Sequence, residues 1–324
     1  MKRTQFIKTV TTGVVGLVTF SAFRNIANSF QPNNKKKNMA KELATFGAVH
    51  INVTNLQRSV SFWTDNIGMK VRAATAVYTE LGTENNTLVV LYPTAKTPFK
   101  NGYSGLYHLA IHPATEGEFA RVLARLIARR YPISPTDHTM SKAIYMEDPD
   151  GITVEITLET PERLAQLDFS NGAPKAIDKD GTVRSPSAPL DVQSVLKALP
   201  DNDISRTLAA DTYVGHMHLY VSNLQAANDF YLSLGFIQNM ALPNLGMYDL
   251  SAGGAFKHRI AFNSWQSLNK PQAPEGTAGM RYYTINFDTP ERLQSALKHL
   301  PSAEAQKDGY LVADPAGNKI LLKG

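Results

Sequence analysis

The chain has no cysteine among its 324 residues. That excludes disulfides, zinc–thiolate centres and iron–sulfur clusters, so any bound metal must rest on His and carboxylate. The redox compartment stays open, because a cysteine-free protein is compatible with either. Acidic residues are missing from positions 1–38, which hold seven cationic side chains: Lys2, Arg3, Lys8, Arg24, Lys35, Lys36 and Lys37. The rest of the chain carries 26 basic against 28 acidic residues, so the formal net charge of +5 belongs to the N-terminus alone. No Lys/Arg stripe with interleaved aromatics appears, and nucleic acid is not indicated as a partner.

Apolar runs of membrane-spanning length are also missing. The longest, from about Val10 to Phe23, falls short of the ~20 residues a span needs. Behind a positively charged start it has the organisation of a signal peptide. Arg3 to Lys8 is similar to a twin-arginine export motif, with Thr4 in the place of the second Arg, and Ala27-Asn28-Ser29 is a candidate cleavage site. The expectation is export or membrane association through residues 1–38; the alternative is a cytoplasmic protein started at Met39.

What the chain does contain is repetition. Val49-His50-Ile51-Asn52-Val53-Thr54-Asn55-Leu56 matches Met217-His218-Leu219-Tyr220-Val221-Ser222-Asn223-Leu224. Each copy reads as a strand and a turn. Helices follow, over Gln57 to Asn66 and Gln225 to Ser233, each closed by a Gly at its C-terminus. A weaker pair starts at Tyr107 and Tyr283, runs into helices over Glu116 to Arg130 and Pro290 to Leu300, and closes with the turns Asp148-Pro149-Asp150-Gly151 and Asp314-Pro315-Ala316-Gly317. The pattern predicts an α+β fold of four βαβββ modules. Modules one and two form a domain over 46–158, and modules three and four a second over 213–324. A linker over 159–212, rich in Pro, Ser and Asp, carries a helix near Leu190 to Leu199. With 43% hydrophobic residues the chain can bury real cores.

The stretch from Thr136 to Glu155, TDHTMSKAIYMEDPDGITVE, concentrates the chemistry. It predicts a hairpin in which Ala143 to Glu147 pairs with Ile152 to Leu158 across the DPDG turn. Strand alternation sets Thr153 and Glu155 on one face and Ile152, Val154 and Ile156 on the other. A carboxylate on an inward face needs a partner, and a metal is one.

The module pattern resembles the vicinal oxygen chelate superfamily, which covers glyoxalase I, fosfomycin- and bleomycin-resistance proteins and extradiol ring-cleaving dioxygenases. The resemblance implies tandem domains whose paired modules curl into half-open barrels around a metal. Family ligands lie on the first and last strands of a module, the first-strand ligand eight residues before the Leu that opens the helix. In module three that position is His216; in module one it is Ala48, which cannot ligate. Module two offers His108 and Glu155, whereas module four has Tyr283 and Leu321. The implied ligands are therefore His108, Glu155 and His216, with His50 and His218 nearby. Modules two and three must then face each other, within one chain or across a homo-oligomer. Two His and one carboxylate suit a non-haem Fe(II) centre, with Mn(II) the alternative.

Thr136, His138, Ile144-Tyr145, Asp148-Pro149, Gly151 and Glu155 resemble the extradiol dioxygenase signature, which implies that His138 and Tyr145 contact substrate or oxygen. Phe256 to Phe262 resembles the segment carrying that family's acid–base histidine, here His258. Common extradiol enzymes carry these segments in modules three and four; the order here is three and two, as in a subgroup similar to catechol 2,3-dioxygenase. The resemblance implies an enzyme that opens a small aromatic diol with O2 to a semialdehyde. Another metal-dependent member, a glyoxalase-like lyase or thiol transferase, and a metal-free binding protein are the alternatives. Tyr107, Phe262, Trp265, Tyr282 and Tyr283 are candidate pocket walls, although strand aromatics are more often core.

Overall fold

A computed structural model describes residues 41–169 and 174–324. The expectations for residues 1–38 lie outside that range. Among the described residues no helix is long and apolar enough to cross a membrane.

Module one comprises β1 (Ala44–Asn52), α1 (Leu56–Ser61), β2 (Lys70–Ala74), β3 (Thr79–Gly82) and β4 (Thr87–Tyr92). Module two comprises β5 (Gly105–His112), α2 (Glu116–Ala128), β6 (Ser134–Asp137), β7 (Ser141–Glu147) and β8 (Thr153–Glu159). The linker holds β9 (Leu164–Asp168), β10 (Lys175–Asp178), β11 (Val183–Arg184), β12 (Ala188–Pro189) and a short helix, α3 (Val192–Leu196). Module three follows as β13 (Tyr213–Tyr220), α4 (Leu224–Ser233), β14 (Ile237–Leu242), β15 (Met247–Ser251) and β16 (Ile260–Asn263). Module four is β17 (Gly279–Phe287), α5 (Pro290–Leu297), β18 (Glu304–Gln306), β19 (Gly309–Ala313) and β20 (Lys319–Lys323).

The repeated Asn-Leu pair has a local cause. The side chains of Asn55 and Asn223 accept hydrogen bonds from the backbone N–H groups of Arg58 and Ala226, closing the first turns of α1 and α4. Thr115 and Thr289 do the same for α2 and α5. Each cap contributes ~1 kcal/mol. α1 runs on as a π-helical turn over Phe62–Ile67 and stops at Gly68, whose φ of 91° is left-handed. That turn buries Phe62, Trp63 and Ile67.

The strands assemble into two large sheets, each taking one module from each half of the chain. Modules four and one form the order β18-β19-β20-β17-β1-β4-β3-β2. Modules two and three form β12-β6-β7-β8-β5-β13-β16-β15-β14, with a linker strand at one edge. Antiparallel pairs join the modules at the centre, β1 with β17 and β5 with β13. Neither sheet closes on itself, so each is a half-open barrel. Strand parity sorts the central residues. Leu109, Ile111, Met217 and Leu219 are fully buried in the hydrophobic core. His108, Ala110 and His112, with His216 and His218, take the alternate positions.

Candidate metal centre

The centre lies on three adjacent strands of the second large sheet. β5 pairs in parallel with β8, setting Ala110 beside Glu155, and antiparallel with β13, setting Ala110 opposite His216. The small Ala110 thus stands between two ligand-capable side chains, with His108 two positions earlier on the same face. His108 Nε2 is 2.9 Å from Glu155 Oε2 and 3.2 Å from His216 Nε2. His216 Nε2 is 3.0 Å from the same Glu155 oxygen. Donors about 2.1 Å from an ion and at right angles to one another would be about 3 Å apart, so this set fits one face of a six-coordinate metal and leaves the other face open. All three side chains are buried. All three come from one chain, so the donor set is complete within a subunit.

Electrostatics fit the same use. Burial alone would raise the Glu155 carboxyl, but the neighbouring imidazoles of His216 and His108 outweigh it and hold the group well below the usual carboxylate range. Burial pushes His216 well below an ordinary imidazole, so it is neutral. An ionised carboxylate with neutral imidazole is the donor state that a divalent metal requires.

Around the triad stand the other residues singled out from sequence. Tyr145 is the cross-strand neighbour of Glu155. Its hydroxyl is 2.9 Å from His138 Nε2, and His138 Nδ1 is 2.6 Å from the Pro186 carbonyl in the linker. A carbonyl only accepts, so His138 donates from Nδ1 and accepts the Tyr145 proton at Nε2. In this neutral form, favoured by burial, both ring nitrogens of His138 are engaged. His258 lies just before β16 rather than within it. Its ring centroid is 4.4 Å from that of His216, and its Nδ1 is 3.0 Å from Asp249 Oδ1. Burial alone would lower His258; the Asp249 charge and hydrogen bond outweigh it and raise the imidazole above its ordinary value. Asp249 is in turn held by Asn239 Nδ2 at 2.7 Å.

Other expectations are redistributed. His218 faces the centre, its ring 4.9 Å from that of His108, with Nε2 on Asn263 at 2.9 Å. His50 belongs to the other sheet, stacked on Tyr282 at 3.9 Å and hydrogen-bonded to Tyr92. Tyr282 stands opposite His50 as His108 stands opposite His218. The module-four counterpart of His108 is therefore Tyr282, and the expected Tyr283 is instead a core residue bonded to Tyr231. Both groups of three or more metal-capable side chains among the described residues fall in the sheet of modules two and three. Of the proposed pocket walls, Phe262 and Tyr283 are fully buried in the core, and Tyr282 lines the other half-barrel. Tyr107 and Trp265 do stand at the centre, with rings 4.6 and 6.0 Å from His218. Sequence reasoning missed Asp249 and His112. His112 had a signal in the His108/His112 spacing, which strand parity puts on one face.

The fold and the donor set together define a paired-module α+β protein with a His, His, Glu metal-capable centre in one half-open barrel. Residues 45–156 match the Glyoxalase/Bleomycin resistance protein/Dioxygenase superfamily. The chain is 30% identical over 283 residues to a protein of Bacillus subtilis (strain 168) named catechol-2,3-dioxygenase, covering 85% of this chain and 95% of that one. The chain belongs to this superfamily, as an enzyme of the dioxygenase/glyoxalase fold. Among solved structures it is similar in fold to one from Bacillus subtilis subsp. subtilis str. 168, with TM-score 0.55, 13% identity and coverage of 87% and 86% of the two chains. Glyoxalase I from Zea mays gives TM-score 0.51, 16% identity and coverage of 86% and 92%.

Proposed function

We propose that the protein is an extradiol dioxygenase that opens a small catechol-type diol with O2 to a semialdehyde, using Fe(II) held by His108, Glu155 and His216. The reading is carried by one observation: the three donor atoms meet within 3.2 Å of one another, beside a His258–Asp249 pair and a Tyr145–His138 pair. The name of the Bacillus subtilis relative agrees with it. When bound, iron supplies Lewis acidity toward the diol oxygens and one-electron chemistry toward O2.

The remaining work falls to the chain. His258 takes the proton of one diol hydroxyl on its Nε2, while Asp249 orients the ring and stabilises the imidazolium that results. The same histidine returns that proton later in the reaction. Tyr145, whose proton goes to His138 Nε2, keeps a phenol oxygen near the centre that can accept a hydrogen bond from a diol hydroxyl. Tyr107 and Trp265 offer aromatic faces at the mouth for the ring of the diol. The buried position of the triad keeps bulk water from the open coordination face.

The test is anaerobic purification, loading with Fe(II) or Mn(II), and a panel of catechols under oxygen. Yellow semialdehyde absorbance with stoichiometric oxygen uptake is the expected result. Turnover with Zn(II) or Ni(II) and no oxygen uptake would assign a lyase or transferase instead, and tight binding without turnover a sequestering protein.

A further inference from the structure

His216 does not stand alone behind the centre. Its Nδ1 is 2.9 Å from His112 Nε2, and His112 Nδ1 is 2.9 Å from Glu159 Oε1. The same Glu159 oxygen accepts from Tyr213 at 2.7 Å and from the Arg259 guanidinium at 2.6 Å. Arg259 continues to Glu42, with contacts of 2.8 and 3.0 Å to one carboxylate oxygen. Two glycines make room for this chain of contacts. A Cβ at Gly215 would lie 2.1 Å from His112 Cγ, and one at Gly254 would lie 2.2 Å from Glu42 Oε1. Any larger residue at either place would displace a member of the chain. Gly215 also sits where the β5/β13 register shifts, between Val214 and His216.

Proton bookkeeping gives the arrangement a direction. A carboxylate only accepts, so the proton between His112 and Glu159 belongs to His112 Nδ1. The other nitrogen of a neutral His112 is then an acceptor and takes a hydrogen bond from His216 Nδ1–H. His216 is left with its lone pair on Nε2, the atom 3.0 Å from Glu155. We propose that His112 is a positioning residue for the metal centre: anchored by Glu159 and Arg259, it fixes the tautomer and ring angle of His216 so that Nε2 faces the metal. This rests on the reading of His108, Glu155 and His216 as metal ligands. Partners that hold the far nitrogen of a ligating histidine commonly matter 10–100-fold in metal affinity.

The experiment measures Co(II) binding to the full chain by chelator competition, together with the visible ligand-field spectrum, in wild type, His112→Phe and His112→Gln. Phe keeps a flat ring but neither hydrogen bond. Gln can accept from His216 and donate to Glu159 through its two amide atoms. The expected result is a roughly 10–100-fold loss of affinity and an altered spectrum in His112→Phe, with substantial recovery in His112→Gln. Gly215→Ala, which drives the His112 ring aside, should resemble His112→Phe. Circular dichroism and thermal melts of the apoproteins check that each variant is folded. If wild type binds Co(II) and a folded His112→Phe binds it with the same affinity and spectrum, His112 has no such role. If wild type itself binds no Co(II) or Fe(II), the metal reading of the triad fails first.

Discussion

His258 Nδ1 lies 3.0 Å from Asp249 Oδ1, and Asp249 is fully buried on β15, the strand that pairs with the one His258 leads into. A buried carboxylate behind an imidazole fixes which nitrogen faces outward and raises the affinity of the ring for a proton. Here that leaves His258 Nε2 as the free basic atom.

Replacing His258 with Asn should therefore lower kcat by about 10²–10⁴, the usual worth of a positioned acid–base group. Asp249→Asn keeps the ring but removes the charge that raises its pKa. A base works only when deprotonated, so the acid limb of the kcat/KM profile should move to lower pH in Asp249→Asn. Steady-state kinetics with a catechol across pH 5 to 9 would show it, and an unmoved limb would remove His258 from the base role.

Glu155 is the one carboxylate shared by both histidines of the triad. Metal bound there stabilises the folded state by mass action, about 2.7 kcal/mol at a free metal concentration one hundred times Kd. Wild type should therefore show a Tm that rises with added Fe(II) or Mn(II) under anaerobic conditions and falls back with chelator. Glu155→Gln and His216→Ala should show neither response, and should copurify with at least tenfold less metal. A metal-dependent Tm that survives Glu155→Gln would place the ion elsewhere.

The three candidate ligands could be singled out because the family resemblance places each at a position fixed within its own module; that their donor atoms meet depends on the β5/β8 and β5/β13 pairings. Asn223 caps α4 and so fixes the distance back to His216, and the DPDG turn fixes Glu155 relative to Tyr145. What depends on register between distant strands was not legible. Tyr282, not Tyr283, stands opposite His50 in the β1/β17 register. Tyr283 shares its face of β17 with Ile285 and Phe287, and all three are buried. Asp249 and His258 meet through the β15/β16 pairing, which no local spacing encodes. The hydrogen bond from His138 Nδ1 to the Pro186 carbonyl is another such contact, made next to a linker strand that joins the sheet edge.

Tyr145 and His138 make a directional pair, with the phenol donating and the imidazole accepting. Tyr145→Phe removes the phenol oxygen as an acceptor for a diol hydroxyl and should cost about tenfold in kcat/KM, as loss of one hydrogen bond worth about 1–1.5 kcal/mol does. His138→Phe leaves the Tyr145 hydroxyl in place without its imidazole acceptor, so its loss should be smaller than that of Tyr145→Phe, and the double variant should be no worse than Tyr145→Phe alone. Additive losses in the double-mutant cycle would mean that His138 touches substrate directly.

Asp148 gives a stability prediction separate from catalysis. It closes the DPDG turn by accepting from the Asp150 and Ile152 amides through one oxygen at 2.9 and 2.8 Å. Burial is the largest influence on it, and its carboxyl is raised to about 7 from 3.8. The folded state thus holds a proton that the unfolded chain releases near pH 4. The stability that this proton confers is fully present below about pH 4 and is lost as pH rises through 7. Asp148→Asn retains an acceptor oxygen for both amides and carries no charge at any pH. The stability of wild type relative to Asp148→Asn should therefore fall by on the order of a few kcal/mol between pH 4 and 8. Burial would raise Glu159, but the hydrogen bond from His112 and the Arg259 guanidinium outweigh it and hold the carboxyl down to about 2, so its contribution is lost only as pH falls from 4.5 toward 2. The two effects therefore occupy separate windows. Urea unfolding of both proteins at several pH values reads the difference directly, and a gap that stays constant from pH 4 to 8 would show that Asp148 titrates like an ordinary carboxylate.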